Sequence, residues 1–184
     1  ALEANDDTES SHVGDPEKAF AEADRILETD YYAPFLAHAP MEPLNATLRI
    51  TENGADLWTG VQFVGAAQGV LERLTGLPRG DIKIHNQFLG GGFGRRATLS
   101  HIVEVAEIAM SIDKPVQLLW SREDDLRHGF YRPAAMMKIK AAADNEARIT
   151  AWQARRSGAN ITAQTMKNAL PGVLPSLPTG LLNG

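Results

Sequence analysis

The chain has 184 residues, of which 18 are basic and 23 acidic, so its formal net charge is −5. The acidic balance argues against non-specific binding to nucleic acid. The chain has no cysteine, which excludes disulfides, thiolate zinc sites, a cysteine nucleophile and any iron–sulfur cluster held by this chain. Hydrophobic residues make up 43% of the sequence, enough for a globular core, and no apolar run approaches the roughly 20 residues that cross a bilayer.

The N-terminal part begins with a polar, acidic stretch that has almost nothing to bury. Residues 1–13 are therefore predicted to form a loosely held arm. Asp15 and Pro16 have the features of a helix start, and apolar residues follow at helical spacing, which predicts an amphipathic helix over 16–28. An aromatic stretch interrupted by a proline then predicts an edge strand over 29–36.

The next segment contains the strongest hairpin signal in the chain. An asparagine followed by Gly54 favours a tight turn, so we predict paired strands over 46–50 and 56–59. Helical periodicity after this hairpin predicts a helix over 62–75 that ends at Gly76.

The remaining elements alternate between strands and helices. We predict a strand over 81–85, an apolar helix over 98–112 and a buried strand over 115–120. Two further strands, over 135–143 and 148–156, are joined by a tight turn. Because strands and helices interleave without a strict βαβ rhythm, the predicted fold class is α+β, with helices and mixed sheets.

The most informative motif is the run FLGGGFGRR at residues 88–96. Glycines without Cβ atoms let backbone N–H groups approach a ligand closely, and two arginines beside a predicted helix start favour an anion such as phosphate. The spacing matches neither the dinucleotide motif nor the P-loop. The alternative is a plain tight turn, in which Phe93 must fill the core or lie against a flat group. We predict that Phe93 lies at a surface cleft.

A second cluster, HAPMEPLNA, occupies residues 38–46. His38 and Glu42 are four residues apart, but Pro40 and Pro43 prevent the regular helix that would place them on one face. A metal site therefore has little support here. The favoured interpretation is a proline-ordered loop in which Glu42 accepts backbone hydrogen bonds.

The other polar clusters have ordinary structural explanations. Residues 121–128 follow a strand, and Ser121 is predicted to cap a short solvated helix that carries acids in its first turn. His12, His85 and His101 have no partner that the sequence identifies, so we interpret them as structural or surface residues.

Taken in order, these motifs resemble the molybdenum-binding subunit of the xanthine dehydrogenase and aldehyde oxidase family. The closer likeness is to the isoquinoline 1-oxidoreductase β-subunit branch, which is also described as aldehyde dehydrogenase-like. The double arginine after the glycines indicates that branch. The matching segments are HAPMEPLNA at 38–46, WTGVQ at 58–62, GGGFGRR at 90–96, PVQLLWSREDD at 115–125 and HGFYRP at 128–133.

The resemblance implies a pyranopterin cofactor that holds one molybdenum, in this branch as molybdopterin cytosine dinucleotide. It implies that Gln62 forms a hydrogen bond near the oxo group, and that the backbone of Phe93 and Gly94 approaches the apical oxygen. The cofactor-binding residues predicted in this way are Gln62, Gly91, Gly92, Phe93, Gly94 and Arg95. Ala97 stands where xanthine dehydrogenases carry a substrate-binding glutamate, so purine selection by that residue is excluded.

The resemblance also implies a reaction, the hydroxylation of an aldehyde or N-heterocycle with water as the oxygen source. The family's glutamate base lies near the C-terminus of the subunit and has no equivalent here, so no catalytic or metal-ligating residue is assigned. The implied partners are a small subunit with [2Fe–2S] clusters and the other domains of the same large subunit. The likeness favours a bacterial periplasmic or membrane-associated enzyme over a cytoplasmic one.

The domain expectation follows from this likeness. Residues 14–160 are expected to form a molybdopterin-site domain, a fragment of a larger subunit that is inactive and without cofactor on its own, and 161–184 a linker or truncated tail. Two alternatives stay open. One is a stand-alone nucleotide- or phosphate-binding module that uses the Gly90–Gly94 loop, and the other is a structural or interaction domain that has lost its ligand.

Overall fold

A computed structural model describes residues 11–159 and 161. The predictions for most of the tail over 161–184 and for most of the arm over 1–13 therefore lie outside the described residues. Within the described part the chain divides into two units, one built from residues 11–36 and 133–159 and the other from residues 37–132.

The elements follow one another in mixed order along the chain. They are α1 (Pro16–Ala21), β1 (Arg25–Ala33), β2 (Leu36–Ala37), β3 (Asn45–Thr51), β4 (Gly54–Thr59), α2 (Val64–Thr75), β5 (Ile82–Asn86), α3 (Ser100–Ser111), β6 (Val116–Leu119), α4 (Arg122–His128), β7 (Tyr131–Arg132), β8 (Ala135–Ala143) and β9 (Ile149–Gly158). Short 3₁₀ turns occur at Arg79–Asp81 and Arg95–Ala97. No helix of the described residues is long and apolar enough to cross a membrane.

The first unit is a three-stranded antiparallel sheet in the order β1-β8-β9, with α1 against β8 and β9. The predicted helix starts as expected, since the Asp15 carboxylate accepts a hydrogen bond from the Lys18 N–H. Its predicted extent over 16–28 is wrong, because β1 begins at Arg25. All nine residues of β1 pair with β8, and this long ladder outweighs the weak helical preference of the same residues.

The second unit contains a four-stranded mixed sheet in the order β5-β4-β3-β6. β3 pairs antiparallel with β4 and β6, whereas β4 and β5 run parallel, so the α+β prediction is confirmed. α2 packs on α3 and β5, and α3 packs on β3 and β6. The apolar core lies between these helices and the sheet. Its fully buried side chains include Leu48, Leu57, Ala67, Leu71, Ile102, Val105 and Ala106.

Local signals placed a turn and a helix end of this unit correctly. The hairpin turn at Gly54 and the helix end at Gly76, where φ is +72°, are both as predicted. The predicted buried strand over 115–120 is only partly right. β6 is an edge strand of the sheet, and the side chain of Leu119 is 68% exposed.

Candidate cofactor site

The glycine loop, residues 88–94, is fastened to the proline loop, residues 38–46, through Glu42. The Gly90 N–H donates to the Glu42 carboxylate at 2.9 Å, and the Glu42 N–H donates back to the Gly90 carbonyl at 3.0 Å. A Cβ atom at Gly90 would lie 2.4 Å from the Cβ of Glu42, so this approach requires glycine. The prediction that Glu42 accepts a backbone hydrogen bond is confirmed.

Glu42 is charged in this setting. Burial opposes its ionisation, but hydrogen bonds from Gly90 and Asn45 and the nearby charge of Arg96 outweigh that effect and lower the pKa of the Glu42 carboxyl. The carboxylate therefore serves as a fixed acceptor between the two loops.

Gln62 holds the other end of the glycine loop. The Gly94 N–H donates to a side-chain oxygen of Gln62, Oε1, at 3.0 Å. Because a backbone N–H only donates, the accepting atom must be the oxygen, and the two N–H groups on Nε2 point elsewhere. Within the described residues Nε2 has no hydrogen-bond partner, and the Gln62 side chain is exposed.

The centre of the glycine loop presents unpaired backbone donors. In the described part of the chain, the N–H groups of Gly91, Gly92 and Phe93 donate no hydrogen bond. Gly91 and Gly94 have φ values of +99° and +93°, and Phe93 has a φ of +53°, unusual for a residue with a side chain. The Phe93 ring is 73% exposed, which confirms that it lies at the surface and outside the core.

Arg96 is a buried support beneath the two loops. Its guanidinium donates to the carbonyl oxygens of Gly91, Gly60, Glu42 and Pro43, and to the Glu42 carboxylate at 2.8 Å. Burial lowers the pKa of Arg96 from its ordinary value. The hypothesis that this arginine faces an anionic ligand is wrong for its side chain, because every one of these partners belongs to the protein.

Arg95 is buried as well, in an aromatic setting. Its guanidinium lies 5.2 Å from the ring centre of Trp120 and 5.4 Å from that of Phe130, and its Nη1 donates to the Thr98 hydroxyl. The Arg95 Nε lies 3.8 Å from the Asp125 carboxylate. The side chain is 1% exposed, so the structure places the predicted cofactor-binding residue Arg95 behind the loop.

The short helix α4 supports the same region. Ser121 caps this helix as predicted, and together with Asp124 it forms a capping box. Asp125, which sequence reasoning placed in a solvated turn, is only 5% exposed and pairs with Arg122 at 2.8 Å. Arg122 in turn donates to the carbonyl oxygen of Pro40 in the proline loop. Nothing in the sequence distinguishes Asp125 as buried, because it directly follows two acids that are exposed.

The histidines have partners that the sequence did not reveal. His101 is fully buried near the Thr59 hydroxyl, and burial, together with the charges of two buried arginines, lowers the pKa of its imidazole to about 3. His85 lies 2.8 Å from the Asp56 carboxylate, and His12 bonds a nearby backbone carbonyl. No group of three or more His, Cys, Asp or Glu among the described residues could hold a metal ion.

These features together describe the kind of ligand that the loop can accept. Three free backbone N–H groups and the Gln62 amide supply hydrogen-bond donors, and an exposed aromatic ring lies beside them. A Cβ atom at Gly94 would have only one neighbour within 4 Å, so the space there is open. These donors and the ring fit a flat ligand with negatively charged oxygen atoms, such as a cofactor that carries its own metal.

The comparison with protein families specifies which kind of cofactor-binding domain it is. The family model described as "Molybdopterin cofactor-binding domain" matches residues 3–171, and the chain belongs to this family. The match agrees with the fit of the site to a pterin-type ligand. Nothing in the comparisons favours a stand-alone nucleotide-binding module.

Similar proteins belong to larger enzymes. The chain is 35% identical to the isoquinoline 1-oxidoreductase subunit beta of Brevundimonas diminuta over 125 residues, which are 67% of this chain and 16% of that protein. It is 28% identical to the aldehyde oxidoreductase molybdenum-binding subunit of Escherichia coli strain K12 over 167 residues, 90% of this chain and 23% of that subunit. The chain thus spans less than a quarter of the length of these relatives.

Solved structures show the same fold. The crystal structure of quinoline 2-oxidoreductase from Pseudomonas putida 86 matches with a TM-score of 0.66 at 20% identity, over 77% of this chain and 18% of that one. An aldehyde oxidoreductase from Desulfovibrio gigas matches with a TM-score of 0.61 at 24% identity, over 74% of this chain and 15% of that one.

Proposed function

We propose that this chain forms the glycine-loop side of the molybdenum cofactor site in a large subunit of a molybdenum hydroxylase. The proposed enzyme hydroxylates aldehydes or N-heterocycles, with water as the oxygen source. The proposal draws on the family membership, on the substrates that the names of the relatives indicate and on the donor set of the loop.

One observation carries the proposal, the hydrogen bond between Gln62 and Gly94. It uses the oxygen of the Gln62 amide and leaves its two N–H groups unpaired within the described part of the chain, in a side chain that lies against Gly92. The N–H groups of Gly91, Gly92 and Phe93 in the same loop are also free among the described residues. A patch of preorganised donors stabilises an oxygen that bears negative charge. Such an oxygen belongs to the chemistry of the proposed cofactor.

The proposed roles differ along the loop. Gln62, Gly91, Gly92, Phe93 and Gly94 would contact the cofactor, through the amide of the glutamine and the backbone of the others. Arg95 would act by positioning the loop from behind, because its guanidinium is buried against two aromatic rings. The cofactor would supply the metal that takes up the electrons of the substrate.

The finer features of the proposal concern the cofactor form and the electron path. We propose the cytosine dinucleotide form of the pterin, as in the branch that the sequence resembles. Electrons would leave through a small subunit that carries [2Fe–2S] clusters, as the resemblance implies, and the absence of cysteine from this chain agrees with that path.

The test uses the complete enzyme that carries this sequence. Molybdenum is measured by mass spectrometry, the pterin by fluorescence, the nucleotide by chromatography after acid release, and turnover by dye reduction with aldehydes and N-heterocycles. We expect stoichiometric molybdenum and pterin, release of a cytosine nucleotide, and turnover. Absence of molybdenum from the wild-type enzyme would refute the proposal.

A matched pair of variants tests the carrying observation. Gln62→Glu keeps an oxygen that accepts from Gly94 but removes both side-chain donors, so we expect turnover to fall by about 10²-fold. Gln117→Glu makes the same chemical change at an exposed position on β6 and should leave turnover unchanged. Equal turnover in both variants would contradict the role of Gln62.

The 184-residue chain by itself is expected to bind no molybdenum cofactor tightly and to oxidise no substrate. A few backbone donors in an open cleft contribute only about 0.5–1.5 kcal/mol each, against the several kcal/mol of freedom lost on association. Stoichiometric molybdenum in the purified 184-residue chain would show that the site is complete without further segments.

A further inference from the structure

We propose that His38 is a further ligand-contacting residue of this site, whose Nε2 accepts a hydrogen bond from an O–H or N–H group of the ligand at the glycine loop. The inference rests on the proposed function and extends it to a residue of the proline loop. Sequence reasoning weighed His38 only as a metal ligand, and the described residues hold no cluster for such a metal.

The orientation of the ring defines what each nitrogen can do. The Nδ1 atom of His38 lies 3.0 Å from the backbone carbonyl oxygen of Phe130. A carbonyl oxygen only accepts, so Nδ1 must carry the hydrogen, and in the neutral ring Nε2 is then the acceptor. No hydrogen-bond partner for this Nε2 is present among the described residues.

The position of Nε2 places that acceptor at the open space of the loop. A Cβ atom built on Gly94 would lie 3.9 Å from the His38 Nε2 and would meet no other heavy atom within 4 Å. The N–H of the same glycine is held by Gln62. The amide of Gln62 therefore lies on one side of Gly94, and the acceptor Nε2 of His38 faces it across open space. A ligand that carries both oxygen atoms and O–H or N–H groups would find a complementary partner for each.

The backbone is strained next to His38 and next to Gly94. Ala39, next to His38, has a φ of +39°, and Phe93, next to Gly94, has a φ of +53°. Such conformations are unfavourable for residues with side chains and persist where surrounding contacts enforce them, often at ligand sites. Here the enforcing contact on the proline loop is the hydrogen bond from Arg122 to the Pro40 carbonyl.

His101 shows what a purely structural histidine looks like in the same unit. The His101 side chain is completely buried, with a relative accessibility of 0%. Its Nδ1 atom has no hydrogen-bond partner among the described residues. His38 is only partly buried, and its second nitrogen faces open space. The geometry of His38 is therefore that of a residue with one anchored nitrogen and one nitrogen available to a ligand.

Two substitutions in the complete enzyme separate ligand contact from anchoring. His38→Asn keeps an N–H near the position of Nδ1, where it donates to Phe130, but removes the acceptor. His38→Gln places an amide oxygen near the position of Nε2 but loses the anchor. The readouts are the rate of molybdenum loss in urea below the unfolding midpoint, the KM for substrate and the melting temperature.

We expect the melting temperature of His38→Asn to equal that of the wild-type enzyme. If the hydrogen-bond donor belongs to the cofactor, molybdenum loss is about three- to tenfold faster; if it belongs to the substrate, KM rises by that factor and molybdenum loss is unchanged. Whichever of these two quantities changes in His38→Asn, its value in His38→Gln should be closer to that of the wild-type enzyme.

Three outcomes would overturn the inference: wild-type values of both measures in His38→Asn, a larger defect in His38→Gln than in His38→Asn, or failure of His38→Asn to fold. A wild-type enzyme without molybdenum would overturn the proposed function and this inference with it. Wild-type molybdenum together with an unaffected His38→Asn would overturn the inference alone.

Discussion

The exposed glycine loop and the three residues that follow it are neighbours in sequence with opposite physical character. Residues 88–94 expose an aromatic ring and leave backbone donors unpaired, whereas Arg95, Arg96 and Ala97 are buried. Arg96 donates hydrogen bonds to carbonyl and carboxylate oxygens of the proline loop, and Arg95 lies 3.8 Å from the Asp125 carboxylate of α4. The contrast shows that a loop can keep free donors at its surface because charged groups behind it hold its shape.

The largest expected effect comes from removing the buried support. Arg96→Met removes the cation paired with the Glu42 carboxylate and the donor to the Gly91 and Gly60 carbonyl oxygens, so the free energy of unfolding should fall by about 3 kcal/mol or more. Urea unfolding measures the loss. Arg49→Met, which breaks an exposed pair with Asp56, should cost less than about 1 kcal/mol. Similar losses in the two variants would show that burial does not set the contribution of these arginines.

The next effect concerns the pH dependence of stability. The pKa of His101 is about 3 in the folded chain, against an ordinary 6.5, so between these values the unfolded state binds more protons. The free energy of unfolding should therefore decrease as the pH falls below 6.5, by about 1 kcal/mol per pH unit.

Urea unfolding at pH 7, 6 and 5 measures this slope, in a range where few carboxylates titrate. His101→Gln should flatten it, and His128→Gln, at an exposed position on α4, should retain it. An unchanged slope in His101→Gln would show that another group controls the acid response.

A smaller effect is expected from backbone strain in the glycine loop. Gly94→Ala forces a side chain onto a backbone with a φ of +93°, although the space around it is open, so the cost should be about 1–2 kcal/mol. Gly80→Ala also meets nothing within 4 Å but has no such φ, and it should change the free energy of unfolding by less than about 0.5 kcal/mol. Equal stabilities of the two variants would contradict the role of backbone conformation.

The smallest expected effect is at the exposed ring. Phe93→Ala should change the free energy of unfolding by no more than about 0.5 kcal/mol, because the ring is 73% exposed. Leu71→Ala, at a fully buried position in α2, should cost about 2–5 kcal/mol in the same urea assay. A loss of that size at Phe93 would mean that the ring packs within the fold and is not available to a ligand.

Local sequence signals predicted those elements whose boundaries depend on nearby residues. The tight turn at Gly54, the left-handed helix end at Gly76 and the cap at Ser121 all occur as expected, because each depends on contacts within a few residues. The prediction failed after Ala21. There β1 pairs with β8, more than 100 residues later in the chain, and no local pattern carries that information.

For the candidate site, the sequence motifs identified which residues take part more reliably than where their side chains point. The glycine loop was selected from its own residues and Gln62 through the family resemblance, and the structure brings the Gln62 side-chain oxygen to 3.0 Å from the Gly94 nitrogen. The orientation of the arginines was not predictable in this way. An arginine pair beside glycines predicts an anion site. In the structure Arg96 donates to the proline loop, more than 50 residues earlier in the chain, and Arg95 lies buried 3.8 Å from the Asp125 carboxylate.

The sequence by itself therefore determined the α+β class, the family of the chain and the residues from which the loop is built. Only the tertiary structure decided that the arginines lie behind the loop, that Asp125 is buried and that His38 faces Gly94. The physical reason is that caps and turns depend on local backbone geometry. Burial and ion pairing depend on which distant segments pack together, and a single linear pattern does not record that packing.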